Sequence, residues 1–137
     1  MSQLAFDTSA AVPLLMRSHV AHVAVHQHVK GRQPVLTAHS LAETYSVLTR
    51  LPGDARLAAA DAVRLIEANF GPTLAPKPST VASLPRLLAP LGIIGGAVYD
   101  AVVALAAKAR DVPLVTRDAR AIGTYTAIGV ETEIVSH

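Results

Sequence analysis

Short apolar runs alternate with helical patterns along this chain, and no two of the runs are joined by a tight turn. The runs cover residues 3–6, 34–37, 113–116 and 130–135. Strands without hairpins between them are joined by crossovers, so the pattern predicts a parallel sheet with helices on both faces. Leu114-Val115-Thr116 is continuous in the way of a strand buried on both sides. The helices are read at residues 10–16, 18–30, 40–51, 56–70, 79–91, 97–110 and 119–127. Pro13 fits only in the first turn of its helix, Ser18 is read as an N-cap and Gly31 as a stop, and Pro85 kinks or splits the 79–91 segment. The 97–110 helix is apolar nearly all round and is expected to be buried. A length of 137 residues with no linker predicts a single domain over 1–137.

Composition removes several chemistries. The absence of cysteine excludes thiol catalysis, thiolate metal sites and a disulfide scaffold, and suits a reducing compartment. Two Phe, three Tyr and no Trp are too few for a broad platform of stacked rings. The longest run without a formal charge, residues 87–99, is too short for a membrane span and is broken by Pro90 and three glycines. The opening residues lack the basic start of a secretory signal, so a cytoplasmic location without membrane contact is expected. A formal charge of +2 permits a nucleic-acid partner without demanding one.

Ligands of such a fold gather beyond the carboxyl ends of the strands, which directs attention to the ten carboxylates. Asp54, Asp61, Glu67, Asp111, Glu131 and Glu133 read as solvated surface. Asp7 follows the first strand and Asp118 the third. Glu43 and Asp100 lie about one turn into helices that start near the same edge. Each has a structural alternative. Ser40-Leu41-Ala42-Glu43 spells a capping box, Asp7 and Asp118 can serve as N-caps, and Asp100 suits a helix dipole. Asp100 is flanked by Ala97, Val98, Ala101, Val102 and Val103, where an unpaired charge is costly. Four converging carboxylates cannot all stay ionised without a cation, and oxygen-only ligands suit Mg²⁺ or Mn²⁺. The chemistry such a site supports is metal-assisted phosphodiester hydrolysis.

These pieces resemble the PIN-domain ribonucleases, and among them the VapC-type toxins of prokaryotic toxin–antitoxin operons. Leu4-Ala5-Phe6-Asp7-Thr8-Ser9-Ala10 is similar to the family's opening segment, Leu41-Ala42-Glu43 to its glutamate helix, Tyr99-Asp100-Ala101 to its third acidic motif, and Leu114-Val115-Thr116-Arg117-Asp118 to its strand with the fourth acid. The resemblance implies a three-layer α/β/α sandwich around a parallel sheet, and a Mg²⁺- or Mn²⁺-dependent endoribonuclease cleaving structured RNA, tRNA or rRNA. It implies Asp7, Glu43, Asp100 and Asp118 as the catalytic quartet. Asp7, Asp100 and Asp118 would ligate metal, Asp118 directly or through water, and Glu43 would position or activate the water. Ser9 and Thr116 would orient the acids. It further implies a cognate antitoxin of the VapB kind, contact with operator DNA only through that antitoxin, and homodimers. Arg117 and Arg120, flanking Asp118, are candidate contacts to RNA phosphates. Residues 72–96 match no family motif.

Three rival readings remain at this stage. His19, His22 and His26 share one helix face and are read as polar surface rather than a metal site, since no carboxylate or cysteine completes a ligand set. His39 precedes the Glu43 helix and is left outside the quartet. Asp7-Thr8-Ser9 has the place of an aspartate nucleophile, but a second acid two residues on and a nearby lysine are both missing. The alternative function is a catalytically silent PIN-like binding or repressor module, which would have no use for clustered like charges.

Overall fold

The computed structural model describes residues 1–136. Its elements run β1 (Gln3–Phe6), α1 (Thr8–Leu15), α2 (His22–Val29), β2 (Gln33–Leu36), α3 (Ala38–Leu48), α4 (Ala59–Asn69), α5 (Pro78–Ala82), α6 (Leu84–Leu88), α7 (Ala97–Ala109), β3 (Leu114–Thr116), α8 (Ile122–Ile128) and β4 (Thr132–Ile134). The four strands are parallel in the order β2-β1-β3-β4. The chain leaves β1 for β2 on one side and returns for β3 on the other. The strand order therefore reverses between β1 and β3, and the crevice for a ligand opens beyond their carboxyl ends.

Alternation along the strands divides the core in two. Ala5, Val35 and Leu114 point to one face and pack with Ala101, Ala104, Tyr125 and Ile128 of α7 and α8. Leu4, Phe6, Leu36 and Val115 point to the other and pack with Ala10, Leu14, Val25, Leu48 and Ile66 of α1 to α4. With all of these strand residues buried, the strands read as continuous apolar runs although their side chains alternate. The α/β/α layering is the expected one.

Several helix ends differ from the sequence reading. The helix at Pro13 begins at Thr8, so Pro13 lies in its second turn and not its first. Its missing N–H costs one ladder bond in a two-turn helix, and its carbonyl accepts a bond from His22 Nδ1 at 2.8 Å. Ser18 caps nothing, since α2 starts at His22 without a side-chain cap. Gly31 does end α2, at φ +81°. The third helix begins at Ala38 with Thr37 as N-cap, and the capping box is Thr37 with Ser40. Glu43 therefore sits past the first turn and is not the capping-box partner of Ser40. The 79–91 segment splits into α5, α6 and a 3-10 turn at Ala89–Leu91. Among the described residues no helix is long and apolar enough to cross a membrane.

Candidate active site

Beyond the ends of β1 and β3 lies a cavity of about 480 Å³, lined by Asp7, Glu43, Asp100 and Asp118 together with Thr8, Ser9, His39, Tyr99 and Tyr125. All four acids singled out by the sequence meet there. Each arrives on a different element. Asp7 is the N-cap of α1, with Oδ1 accepting the Ala10 N–H at 3.2 Å. Glu43 projects from α3 and Asp100 from the first turn of α7. Asp118 follows β3 and caps the short turn Ala119–Ala121. The capping roles are thus real for Asp7 and Asp118, and both residues line the cavity as well.

Asp7 is held most tightly. It is 6% exposed. Ser9 Oγ donates to its Oδ1 at 2.6 Å, and the Tyr125 hydroxyl donates to its Oδ2 at 2.7 Å. Burial pushes the Asp7 pKa up, and the bonds from Ser9, Thr116, Tyr125 and Ala10 oppose that rise without cancelling it. The Tyr125 phenol is pushed far above its ordinary value by burial and then by the Asp7 charge, so it stays a donor. Ser9 and Thr116 tie the two strand ends together. Ser9 Oγ lies 3.2 Å from Thr116 Oγ1 and accepts the Arg117 N–H at 2.8 Å, and Thr116 Oγ1 accepts the Asp118 N–H at 3.0 Å. Both hydroxyls therefore position the backbone next to Asp118 as well as the Asp7 carboxylate.

The second wall is set by the packing of α3 against α7. Thr8 Oγ1 donates to Glu43 Oε1. Asp100 has its pKa raised first by burial, then by the charges of Asp118, Asp7 and Glu43, and His39 alone pulls the other way. The His39 and Tyr99 rings stack at 5.3 Å with 17° between planes. Arg120 turns its guanidinium onto Asp118, with Nε 3.3 Å from Oδ1, and is itself exposed at the rim. Arg117 engages the site through its backbone N–H, and its side chain does not line the cavity.

The donor set fits a hard divalent ion. Oxygen atoms dominate, negative charge is concentrated, and no lysine or arginine lines the cavity to balance it. Among the described residues no group of three or more His, Asp or Glu side chains is placed to hold an ion directly. Mg²⁺ is commonly bound through one or two carboxylates while it keeps several waters, and the looser gathering of the four acids is compatible with that mode.

Tyr125, Thr8, His39 and Tyr99 are the site residues that sequence reading did not include. His39 carried a weak signal, since it lies just before the Glu43 helix. Tyr125 carried none, being brought to Asp7 by packing across a separation of 118 residues. The six remaining acids do not line the cavity. His19, His22 and His26 form no three-ligand group.

Comparison with known proteins bears on the same residues. The family model for the PIN domain matches residues 4–125. The chain is 53% identical over 133 residues to Ribonuclease VapC27 of Mycobacterium tuberculosis (strain ATCC 25618 / H37Rv), covering 97% of each. Its fold is similar to that of VapBC2 from Rickettsia felis bound to a promoter DNA fragment, with TM-score 0.69 and 15% identity over 98% of this chain and 99% of the other. It is also similar to the sarcin–ricin-loop-cleaving toxin VapC20 of Mycobacterium tuberculosis, with TM-score 0.64 and 18% identity over 93% of this chain and 95% of that one.

Proposed function

The chain belongs to the PIN-domain family, in its VapC ribonuclease branch, and from that premise we propose that it is a Mg²⁺- or Mn²⁺-dependent endoribonuclease acting as the toxin of a toxin–antitoxin pair. The observation that carries the reading is the buried Asp7, bonded by Ser9 and Tyr125 in a cavity that also receives Glu43, Asp100 and Asp118 with no balancing cation in its lining. A silent binding module has no use for four like charges gathered in one cavity. The relatives' names supply the polymer: a ribonuclease for the closely similar VapC27 and the sarcin–ricin loop for VapC20. The antitoxin partner rests on the VapBC complex among the fold's neighbours.

Asp7 and Asp100 would hold the ion, and Asp118 would hold it through water. When bound, the ion supplies a lowered water pKa and neutralises charge on the phosphate. The chain's own groups do the rest. Tyr125, Ser9 and the Ala10 N–H fix the Asp7 carboxylate, so its charge is oriented before substrate arrives. Glu43, steadied by the Thr8 hydroxyl, would accept a proton from the attacking water. Thr116 holds the Asp118 backbone. Tyr99 is 59% exposed with His39 stacked against it, and offers a ring on which a base beside the scissile phosphate can stack. Arg120, exposed and paired with Asp118, would contact a neighbouring phosphate.

The test is cleavage of a panel of tRNA and rRNA fragments by the purified, antitoxin-free protein with Mg²⁺ or Mn²⁺. Specific cuts are expected, and they should vanish in EDTA and in Asp7→Asn and Asp100→Asn. Cutting that survives in the Asn variants, or a wild type that cuts nothing, would refute the reading and move the silent binding or repressor module to the front.

A further inference from the structure

Between Asp7 and Glu43 the sequence contains no acidic residue, yet it carries Arg17, Lys30, Arg32 and five of the six histidines. Glu133, reaching across from β4, neutralises one end of this stretch. Arg32 Nη1 and Nη2 lie 2.7 and 2.8 Å from its carboxylate oxygens, and His28 Nε2 lies 2.6 Å from Oε1. Arg17, His22, His26 and Lys30 are left without an acid. They line one cleft of about 370 Å³ with Val23 and Gln27, and no carboxylate enters its lining. Among the described residues none of the four forms a salt bridge. His22 is oriented by its Nδ1–H bond to the Pro13 carbonyl, which leaves Nε2 available, and the His22 and His26 rings lie 5.7 Å apart.

We propose that this cleft is a second RNA contact, a phosphate-backbone site separate from the acidic cavity. The proposal rests on the endoribonuclease reading above. The lining is cationic or hydrogen-bonding apart from Val23, and phosphate oxygens are contacted by such side chains. A protein partner needs an apolar centre, which one valine does not provide. A resident transition metal needs a third ligand, and none is placed to supply it. Helix α1 separates the two sites. Thr8, its first residue, lines the acidic cavity, and Arg17 follows its last residue, Leu15, by two positions. An eight-residue helix is about 12 Å long. RNA held at both places must span at least that, which selects long or folded substrates over a dinucleotide. The cleft contributes affinity and register, and the acidic cavity contributes the cut.

The test compares the full-length wild type with Arg17→Gln, Lys30→Gln and the double variant. Arg64→Gln, on the exposed face of α4 and paired with Asp61, is the charge-matched control. Anisotropy of a labelled stem-loop RNA in EDTA is followed over a salt series, for two unrelated stem-loop sequences. Cleavage of the same RNAs with Mn²⁺ is run in parallel. Each single variant should weaken binding several-fold for both sequences and reduce the slope of log affinity against log salt by about 0.7–1. The double variant should lose about twice that slope and raise KM more than it lowers kcat, while Arg64→Gln behaves as wild type. Normal cutting with an unchanged affinity and slope in the double variant would overturn the cleft as an RNA contact and leave the nuclease reading standing. A reduced slope in variants of a wild type that cuts no RNA would support the cleft and overturn the nuclease reading.

Discussion

Replacing Tyr125 with Phe removes one oxygen from a fully buried ring and leaves the packing of α8 on α7 intact. The hydroxyl donates to Asp7 Oδ2 at 2.7 Å, Tyr125 is 1% exposed and Asp7 6%, so water cannot readily replace the lost donor. A hydrogen bond to a charged group contributes about 1.5–3 kcal/mol. The metal-free variant should lose that much stability at pH values above the raised Asp7 pKa, a fall in Tm of roughly 5–12 °C for a chain of this size. The loss should depend on pH. Burial already holds the Asp7 pKa above its ordinary 3.8, and the Tyr125 bond is one of the contacts that limit the rise. Without the phenol it rises further. Where Asp7 is protonated in both proteins, the bond is between neutral groups and its removal costs about 1 kcal/mol. The extra cost then develops as pH climbs through the raised Asp7 pKa. Urea denaturation in EDTA across that range measures it, and a cycle with Asp7→Asn should give a coupling of about 1–3 kcal/mol. A loss below about 0.5 kcal/mol, typical of an ordinary surface change, or one that is the same below and above the raised Asp7 pKa, would refute the claim that this phenol supports an ionised carboxylate.

Four further outcomes follow from the same contacts. Asp7 and Asp100 both have raised pKa values in the fold, so their contribution to stability is present below the ordinary 3.8 and is lost as pH rises through the raised values; metal-free melts should show that decline. Saturating Mn²⁺ should offset it at neutral pH, by about 2.7 kcal/mol at a hundredfold excess over Kd, read as a Tm shift absent from Asp100→Asn. Ser9→Ala should cost about 1–2 kcal/mol in urea, because it removes a donor to Asp7 and the acceptor of the Arg117 N–H, and should also lower the cleavage rate. The Glu133 pKa is lowered, first by its bond from Arg32, so its stabilisation is present above the ordinary 4.5 and fades as pH falls through the lowered value; Glu133→Gln should cost about 1 kcal/mol at neutral pH and little in acid.

The sheet and three of its acids were readable because they obey local rules. A buried parallel strand is an apolar run, and the residue after it sits at the edge where ligands bind, which located Asp7 and Asp118. Asp100 was exposed by its neighbours, since a carboxylate among Ala and Val needs a reason. Glu43 was legible from its place, about one turn into a helix that starts at the same edge. Its structural alternative, the Ser40-x-x-Glu43 capping box, is the reading that fails, since Thr37, one turn earlier, caps the helix and takes Ser40 as its partner. Two competing caps three residues apart cannot be ranked from sequence, because the strand end decides which one the chain reaches first. Tyr125 was illegible for a different reason. Its bond to Asp7 joins the first strand to the last helix, and a tertiary hydrogen bond leaves no periodicity behind. Pro13 shows how packing overrides a propensity: a buried proline in the second turn of α1 is tolerated where its ring is packed away from water and His22 takes up its carbonyl.

The claim on which the functional reading stands is that the four carboxylates form a cation site and are not merely caps and surface charge. Titrating Mn²⁺ into the RNA-free protein at neutral pH, with free Mn²⁺ followed by its electron paramagnetic resonance signal, tests it directly. Saturable binding is predicted for the wild type and for Asp54→Asn, and at least tenfold weaker binding for Asp7→Asn and for Asp100→Asn. Equal binding in all four proteins, or no saturable binding in the wild type, would contradict it.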